Sequence, residues 1–470
     1  MSKRSIISTN SNRTLSLLKE REQDSIPFRI DFIKTLLDGK DLATMIDFEN
    51  TETENFINPN KLNLDENDFN SSVGSHDTRA SLNKRLHDFN KIINQIGGRL
   101  QYIKSGTTGH TFQGKIFDDN NEFNYAVKVV AYPKKERYGT IHDTRRPENA
   151  ELMMIRLLSY FVVKKQTPHI VLPIATFNTS IKPFVSLVKE NVIEEDNKKY
   201  MEFIERFNND EYHENVSILI SEWANRGDFL DFLRKHYRRF KAIHWKVFFF
   251  QIISTLAVIQ SKFPAFRHND LKANNILVNK VERDLNIFSY KIQRKIYNVP
   301  NVGYQLKLWD FDFACIPGVV DNAKVASDWT KAINVVPKQN RYYDVHYFFN
   351  TLIKKGFFPQ IIEDPKVPQE TKDFIYRIVP KKYREGKYVH KRGRILTNEE
   401  YLIPDEIIKT DPYFEEFRIQ ASPNVHTSEK GIQNKNGSIR KEALSRDLKV
   451  KKKKSNDIDE IKLEDLLNSD

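Results

Sequence analysis

The most specific signal in the sequence is a stretch of eight residues, His268-Asn269-Asp270-Leu271-Lys272-Ala273-Asn274-Asn275, which an apolar strand follows at 276–278. Phosphoryl transfer asks little covalent chemistry of a protein, but it requires that phosphates, metal ions and one hydroxyl be positioned and their charges neutralised. Asp270 is placed to orient the attacking hydroxyl and to accept its proton. Lys272 would balance the charge of the transferred phosphate, and the side-chain oxygen of Asn275 would bind Mg²⁺. The alternative interpretation of this stretch is a polar turn between a helix and a strand.

A second acidic segment follows along the chain, Lys307-Leu308-Trp309-Asp310-Phe311-Asp312-Phe313-Ala314. Mg²⁺ is a hard ion that prefers carboxylate oxygens, so Asp310 is the candidate ligand for a magnesium ion that bridges nucleotide phosphates. Taken alone, Asp-Phe-Asp after a strand is more often a turn. Its order after the Asp270 stretch favours the metal site.

Two glycines and a strand lysine indicate a place for the nucleotide. The segment is Ile103-Lys104-Ser105-Gly106-Thr107-Thr108-Gly109-His110-Thr111. Gly106 and Gly109 would let backbone N–H groups approach phosphate oxygens. Lys128 alternates with apolar neighbours in Tyr125-Ala126-Val127-Lys128 and would reach the α- and β-phosphates. A plain hairpin and an exposed strand lysine are the alternatives.

The partner of Lys128 is expected on the helix predicted at 147–163. Glu151 fits best, because apolar residues follow it at helical spacing. Glu148 shares roughly the same face and stays open as the partner. A solvated glutamate that pairs with Arg145 or Arg146 is the remaining alternative.

A connection to the nucleotide base is predicted after the strand at 217–221. The backbone of Glu222-Trp223-Ala224 would meet adenine, with Glu222 and Ala224 as the contact residues. Asp228 would then lie near the ribose. These assignments rest on position along the chain alone.

In chain order, these motifs resemble the protein-kinase family over about residues 97–418. The resemblance implies an α+β, two-lobed protein-kinase fold, in which a small antiparallel-sheet lobe carries one main helix and a larger lobe is mostly helical. It implies ATP and Mg²⁺ as cofactors and Ser/Thr hydroxyls of proteins as acceptors. Tyrosine as an additional acceptor stays open.

The sequence departs from that family in several places. Asn269 replaces the usual arginine before the catalytic aspartate, Lys104 replaces the first glycine of the Gly-rich loop, and Asp312 replaces the glycine of D-F-G. Asp344 occupies the place of the aspartate that buttresses the catalytic loop. The A-P-E element is not recognisable, and 315–340 offers no phosphosite flanked in the usual way, which puts activation-loop control in doubt.

The departures themselves resemble a narrower group. Asp-Phe-Asp-Phe at 310–313, the helix start at 342–349 and the missing first glycine are similar to the poxvirus virion serine/threonine kinase and its relatives in other large cytoplasmic DNA viruses. This resemblance implies a viral kinase linked to particle assembly, present in the virion and the host cytoplasm.

Two rival functions stay open. The Asp270 and Asp310 segments also resemble choline kinases and aminoglycoside phosphotransferases, which act on small molecules. Lys272 speaks against that group, in which it is usually absent. The second rival is a pseudokinase scaffold, suggested by Asp312 and the poor Gly-rich loop, although Lys128 and both acidic segments are retained.

Composition limits the classes of partner and the cellular compartment that are compatible with the sequence. The chain has 470 residues, a net charge of +12 and a pI near 9.3, so acidic partners are attracted. The single Cys315 excludes an intrachain disulfide. The N-terminus lacks the apolar run of a signal peptide, and the apolar stretch at 247–259 is shorter than the roughly 20 residues of a membrane span. A soluble, intracellular protein without a transmembrane segment is expected.

The predicted organisation has four segments: a polar, weakly ordered extension at 1–95, a kinase N-lobe at 96–222 with an insertion near 190–215, a kinase C-lobe at 223–418 with an insertion near 280–303, and a basic then acidic disordered tail at 419–470. The lysines at 449 and 451–454 could bind nucleic acid or anionic lipid, although a solvated tail is the simpler expectation.

Overall fold

The computed structural model describes residues 25–48 and 76–418, except 107, 119–120, 191, 195, 283–286 and 326. The predicted tail at 419–470 lies outside the described residues. So do 1–24 and 49–75 of the predicted extension.

A five-stranded antiparallel sheet has the strand order β1-β2-β3-β5-β4. Its strands are β1 (Arg99–Ser105), β2 (Gly109–Asp118), β3 (Asn121–Pro133), β4 (Pro173–Ser180) and β5 (Tyr212–Glu222). Along β3, Val127, Val129 and Ala131 are buried, and Lys128 lies between them on the opposite face. The predicted combination of helices with an antiparallel sheet is confirmed.

Four further strands form two antiparallel sheets of two strands each. They are β6 (Ile276–Lys280), β7 (Ile287–Ile292), β8 (Lys295–Pro300) and β9 (Tyr304–Leu308). β6 pairs with β9, and β7 pairs with β8. The β7–β8 hairpin lies in the predicted insertion near 280–303, where Tyr290 and Tyr297 are buried against Phe250.

Nine helices of seven or more residues are found in the described part of the chain. They are α1 (Ile26–Leu37), α2 (Phe89–Ile96), α3 (Pro147–Val163), α4 (Lys198–Asn208), α5 (Phe229–His236), α6 (Ala242–Lys262), α7 (Tyr343–Leu352), α8 (Gln369–Ile378) and α9 (Pro404–Thr410). Four-residue helices are Thr78–Ser81, Asp328–Lys331, Gln360–Glu363, Lys381–Arg384 and Glu415–Arg418, and 3₁₀ turns are Glu136–Tyr138, Lys182–Phe184, Tyr237–Arg239, Ala273–Asn275 and Pro412–Phe414.

Helix α3 begins and ends as its sequence predicts. Pro147 occupies the first turn, where its missing N–H costs nothing. Leu152, Ile155 and Leu158 recur at helical spacing and are buried. Glu151 therefore lies on a helix that packs firmly beside the sheet.

Helix α6 includes the apolar stretch at 247–259 and extends beyond it at both ends. Its 21 residues are long and apolar enough to cross a membrane, by length and composition only. However, 78% of its most apolar window is buried among other parts of the protein. Packing as a core helix accounts for that composition.

Part of the N-terminal segment, expected as a polar, weakly ordered extension with a few helical turns at most, forms helix α1. Ser25 caps α1 by accepting a hydrogen bond from the N–H of Phe28. Phe32, Ile33 and Leu36 of α1 are all at most 6% exposed. The polar average of residues 1–95 hid this apolar face, because the helix is short compared with the polar sequence around it.

The predicted insertion near 190–215 also consists largely of regular secondary structure. It contains α4 and the first residues of β5. Tyr200 and Phe203 of α4 are buried and approach His110 of β2. This helix thus packs against the strand that follows the two glycines of the predicted phosphate loop.

Candidate active site

Pairing of β6 with β9 brings the two acidic segments together. Ile276 is opposite Leu308, so the residues just before and just after these positions are neighbours. The N–H of Trp309 donates to the carbonyl oxygen of Asn275 at 3.1 Å. His268 Nε2 lies 3.0 Å from the carbonyl oxygen of Trp309. The loop that carries Asp270 is therefore joined directly to the segment that carries Asp310.

Lys128 connects the sheet with this pair of segments. Its Nζ donates to Glu151 Oε1 at 2.6 Å and to Asp310 Oδ1 at 3.1 Å. Glu148 instead pairs with Arg146 at 3.0 Å. Burial lowers the pKa of Lys128, but the charges of Glu151 and Asp310 outweigh burial and raise that pKa overall. Lys128 thus stays a cation beside the candidate metal ligand.

The Asp270 carboxylate is held on both oxygens. Lys272 Nζ and Asn275 Nδ2 donate to Oδ2 at 2.9 and 3.0 Å. Arg394 donates to Oδ1 at 2.5 Å. Asn275 also donates to the carbonyl oxygen of Asp270, at 2.9 Å. Because the amide nitrogen of Asn275 makes these contacts, its Oδ1 is the atom that can serve as a metal ligand.

Asp344 supports the loop from below. It is fully buried at the start of α7, and its two oxygens accept hydrogen bonds from the N–H groups of His268 and Asn269 at 2.7 and 2.9 Å. Asn269 has φ of +62°, in the left-handed region that asparagine tolerates better than most residues. The predicted buttress contact is thus present in the structure.

Asp312, which replaces a glycine of the kinase motif, has a nearby counter-charge. Lys324 makes an ion pair with the Asp312 carboxylate, and its Nζ lies 3.9 Å from the centre of the Phe313 ring. The charge that Asp312 adds near the candidate metal site is therefore balanced within the protein.

Arg267 ties the segment after Asp310 to the same loop. Its backbone pairs with Cys315 in both directions, at 3.1 and 3.0 Å. Its guanidinium donates to the carbonyl oxygens of Asn334 and Lys338 at 2.5 and 3.2 Å and lies over the Tyr343 ring at 3.7 Å. Arg267 itself is fully buried.

The glycine turn between β1 and β2 is closed on itself. The N–H of Gly106 donates to the carbonyl oxygen of Gly109 at 2.8 Å, so it is already used within the turn. A Cβ on Gly109 would lie 1.8 Å from the carbonyl oxygen of Val129, which explains why only glycine fits there. Ile103 on β1 is 39% exposed.

Glu222, predicted to meet adenine, sends its side chain into the protein. Arg29 donates to its two oxygens at 2.8 and 2.6 Å, and Lys307 donates at 3.0 Å. Burial raises the pKa of Glu222, but Arg29 and Lys307 outweigh burial and lower it overall. Ala224 is buried beyond the strand end, and Asp228 caps α5 by accepting from Asp231 N. The N–H of Glu222 also donates to the carbonyl oxygen of Leu172, at 3.0 Å, so the backbone carbonyl of Glu222 is the group left for a base.

A sequence profile of the poxvirus serine/threonine protein kinases matches residues 138–413. A protein of Acanthamoeba polyphaga mimivirus, assigned by its name to the serine/threonine-protein kinases, is 47% identical over 398 residues, which is 83% of this chain and 80% of that relative. The chain belongs to the poxvirus serine/threonine protein kinase family. This family membership confirms the resemblance inferred from the sequence.

Shorter matches link this member of the poxvirus kinase family to the poxviruses themselves. Serine/threonine-protein kinase 2 of swinepox virus is 30% identical over 140 residues, 29% of each chain. The corresponding vaccinia virus (Copenhagen) protein is 32% identical over 110 residues, 23% of this chain and 22% of its own. The profile match includes Glu151, Asp270 and Asp310, whereas the glycine turn and Lys128 precede it.

Three basic residues of this family member were not singled out from the sequence. Arg29, Lys324 and Arg394 each neutralise an acid that was singled out: Glu222, Asp312 and Asp270 respectively. Arg394 ends a run of basic residues that was visible in the sequence. Nothing in that run distinguishes Arg394 from its neighbours before the chain folds.

Proposed function

We propose that this chain transfers the γ-phosphate of ATP to Ser/Thr hydroxyls of proteins. The observation that carries the proposal is the position of Lys128, whose Nζ donates to both Glu151 and Asp310. Asp310 in turn is held next to the Asp270 loop, because the N–H of the preceding residue, Trp309, donates to the carbonyl oxygen of Asn275. A phosphoryl-transfer site needs a cation for the phosphates, a metal ligand and a base for the hydroxyl in one place.

Mg²⁺ fits the oxygen donors of this site. Asp310 offers a carboxylate whose side chain is 37% exposed, and Asn275 offers Oδ1. Hard oxygen ligands from one or two side chains are typical for magnesium that also binds substrate phosphates. When bound, Mg²⁺ supplies charge neutralisation for those phosphates. Asp310 and Asn275 would hold it, and Lys128 would contact the α- and β-phosphates.

Asp270 would receive the proton of the acceptor hydroxyl. Asn275 and Lys272 fix its Oδ2, so the carboxylate has a defined orientation. Lys272 would lie beside the transferred phosphate and stabilise the negative charge there. Asp344 keeps the loop in place by holding two of its N–H groups.

The remaining nucleotide contacts complete the proposal. Ile103 and the turn of Gly106 and Gly109 would cover the phosphates, with the Gly106 N–H released from its internal bond. The backbone of Glu222 and Ala224 would meet adenine, and Asp228 the ribose. Residues 96–222 and 223–418 would then be the two lobes of a kinase fold, with ATP between them.

The decisive test compares two lysines of the same sheet. Lys128→Met should lower kcat/KM for protein phosphorylation by about 10²-fold or more, because it removes a phosphate contact. Lys115→Met on β2 is the matched control and should retain activity, since Lys115 only approaches Glu122 at 4.0 Å. Equal activity of both variants would contradict the proposal.

Acceptor class is tested separately. The purified protein would be incubated with labelled ATP, Mg²⁺ and either casein, a basic protein, choline or kanamycin. Label on protein serines and threonines supports the proposal, and label on the small molecules alone supports the choline-kinase type. Unchanged label transfer by Asp270→Asn would point to a contaminating enzyme and favour a pseudokinase scaffold.

We further propose that the kinase acts during virus particle assembly, in the virion and the host cytoplasm, because the relatives named above are viral kinases. Detection of the protein inside purified, protease-treated particles would support this. The basic tail is proposed as a weaker site for nucleic acid or anionic lipid. Unchanged heparin retention after removal of 438–470 would argue against that role.

A further inference from the structure

A hairpin that lies beside Asp270 is strongly basic. We call residues 388–396 the basic hairpin. Leu396 N donates to the carbonyl oxygen of Tyr388 at 2.8 Å, and His390 N donates to that of Arg394 at 2.8 Å. The turn is tight enough to need Gly393, whose φ is +91°. Lys391 and Arg392 form its tip and are exposed.

Arg394 anchors the basic hairpin to the catalytic loop. It is 6% exposed and donates to Asp270 Oδ1 at 2.5 Å and to the carbonyl oxygen of Asn269. It also donates to Tyr343 Oη at 3.1 Å and lies 4.1 Å from the centre of the Tyr347 ring. The exposed cations at the tip are therefore only two or three residues along the chain from the residue that touches the proposed base.

The segment that leads into the hairpin carries the same charge. Residues 381–394 contain seven Lys or Arg and one acid, Glu385. Within the described residues, five of these cations form no ion pair: Lys381, Arg384, Lys387, Lys391 and Arg392. The pKa of His390 is lowered by its partial burial and then by Lys391, Arg392 and Arg394. Cations without an ion-pair partner thus cover the surface beside the catalytic loop and would attract an anionic segment.

The contacts of Asp270 give this charge a function. An acceptor hydroxyl must reach one oxygen of Asp270, but Oδ2 is held by Lys272 and Asn275, and Oδ1 is held by Arg394. The guanidinium of Arg394 will leave Oδ1 most readily if another anion offers it an equivalent charge-assisted contact. A carboxylate or phosphate next to the acceptor residue is such an anion.

We propose that the basic hairpin selects acidic protein segments, in which Asp, Glu or phosphoserine flanks the acceptor Ser or Thr, and that Arg394 exchanges Asp270 for one of these anions when the substrate binds. The proposal rests on the protein-kinase function and specifies its substrate class. Arg394 is the specificity residue nearest the base, and Lys391 and Arg392 extend the recognition to more distant acids.

The first experiment measures kcat/KM of the full chain with Mg²⁺ and ATP on four peptides. Each has one serine, flanked on both sides by Glu, phosphoserine, Ala or Arg. We expect the Glu and phosphoserine peptides to exceed the Ala peptide by about 10-fold, as several exposed charge pairs would contribute a few-fold each. The Arg peptide should fall below the Ala peptide, and higher salt should shrink the differences.

Variants then assign the preference to the hairpin. Lys391→Ala with Arg392→Ala should lower the Glu-to-Ala ratio of kcat/KM about 3- to 10-fold, mainly through KM, because exposed cations contribute to substrate binding. Arg394→Met should lower the same ratio as well. The matched control is Lys164→Ala with Lys262→Ala, which also removes two charges. These lysines lie at the C-terminal ends of α3 and α6, which meet through the contact of Phe161 with Phe263, and their replacement should leave the ratio unchanged.

The outcomes separate this inference from the proposed function. Equal kcat/KM for the Glu, Ala and Arg peptides, or an equal loss in the control, would overturn the acidic preference while leaving the kinase function intact. Binding of anionic vesicles or heparin that requires Lys391 and Arg392, without any preference among peptides, would assign the hairpin to another class of partner and also overturn it. Failure to phosphorylate any peptide, casein or basic protein would overturn both.

Discussion

Replacement of Arg29 tests the claim that helix α1 is part of the folded protein. Arg29→Met removes two charge-assisted contacts to Glu222, at 2.8 and 2.6 Å, and two donations to the carbonyl oxygens of Pro168 and Ile170, at 2.8 and 2.7 Å. Breaking a buried ion pair costs about 3–5 kcal/mol, because the remaining charge is left without compensation. Lys307 still contacts Glu222, so we expect a loss near the lower end, about 3 kcal/mol.

Urea unfolding, followed by tryptophan fluorescence at pH 7, measures this loss as a shift in midpoint at constant slope. Arg79→Met is the control. Arg79 pairs with Asp77, but its side chain is 54% exposed, so the midpoint should not move. If Arg29→Met also left the midpoint unchanged, α1 would contribute nothing to stability and the reasoning would fail.

The ion pairs of Arg29 and Lys307 with Glu222 also predict how the stability of the protein depends on pH. The pKa of Glu222 is lowered below its ordinary 4.5 in the folded protein, so its contribution to stability is present above pH 4.5 and is lost as pH falls through the lowered value. Arg29→Met should weaken that loss, because part of the cause of the lowered pKa is gone. The measurement is the urea unfolding midpoint of the wild type and of Arg29→Met at each pH from 6 to 3. If the two curves of midpoint against pH ran parallel, this reasoning would be wrong.

Three other predictions concern single positions. Asp310→Ala should abolish Mg²⁺-dependent binding of ATP in a calorimetric titration, and unchanged affinity would remove Asp310 from the metal site. Gly109→Ala should lower the melting temperature, since its Cβ would lie 1.8 Å from the Val129 carbonyl oxygen; an unchanged melting curve would contradict that contact. Burial raises the pKa of Cys315 to about 12, so the folded protein should resist thiol reagents at pH 8 and react rapidly in urea. Fast labelling of the native protein would refute it.

The parts of the site that follow from local spacing could be predicted. The lysine on β3, the acid on α3 and the loop at 268–275 each carry a motif within a few residues, and the family comparison confirms the kinase assignment. The contacts of Arg29 and Arg394 could not be predicted in this way. They join residues 193 and 124 positions apart, and their partners are fixed only when the chain has folded.

The prediction for the N-terminal segment rested on the average composition of a long stretch of sequence. Residues 1–95 average to a polar sequence, although α1 places four apolar side chains in the core. The average over that window concealed one apolar face of a helix.

The contacts of Arg267 bear on how such an enzyme is switched on. Its guanidinium holds the stretch after Asp310 through the carbonyl oxygens of Asn334 and Lys338. Peptide carbonyls are present as soon as the polypeptide is made, whereas a phosphorylated side chain requires a preceding phosphorylation step. The attachment of this stretch through Arg267 therefore uses only groups that are present at synthesis, and this contact itself needs no modification.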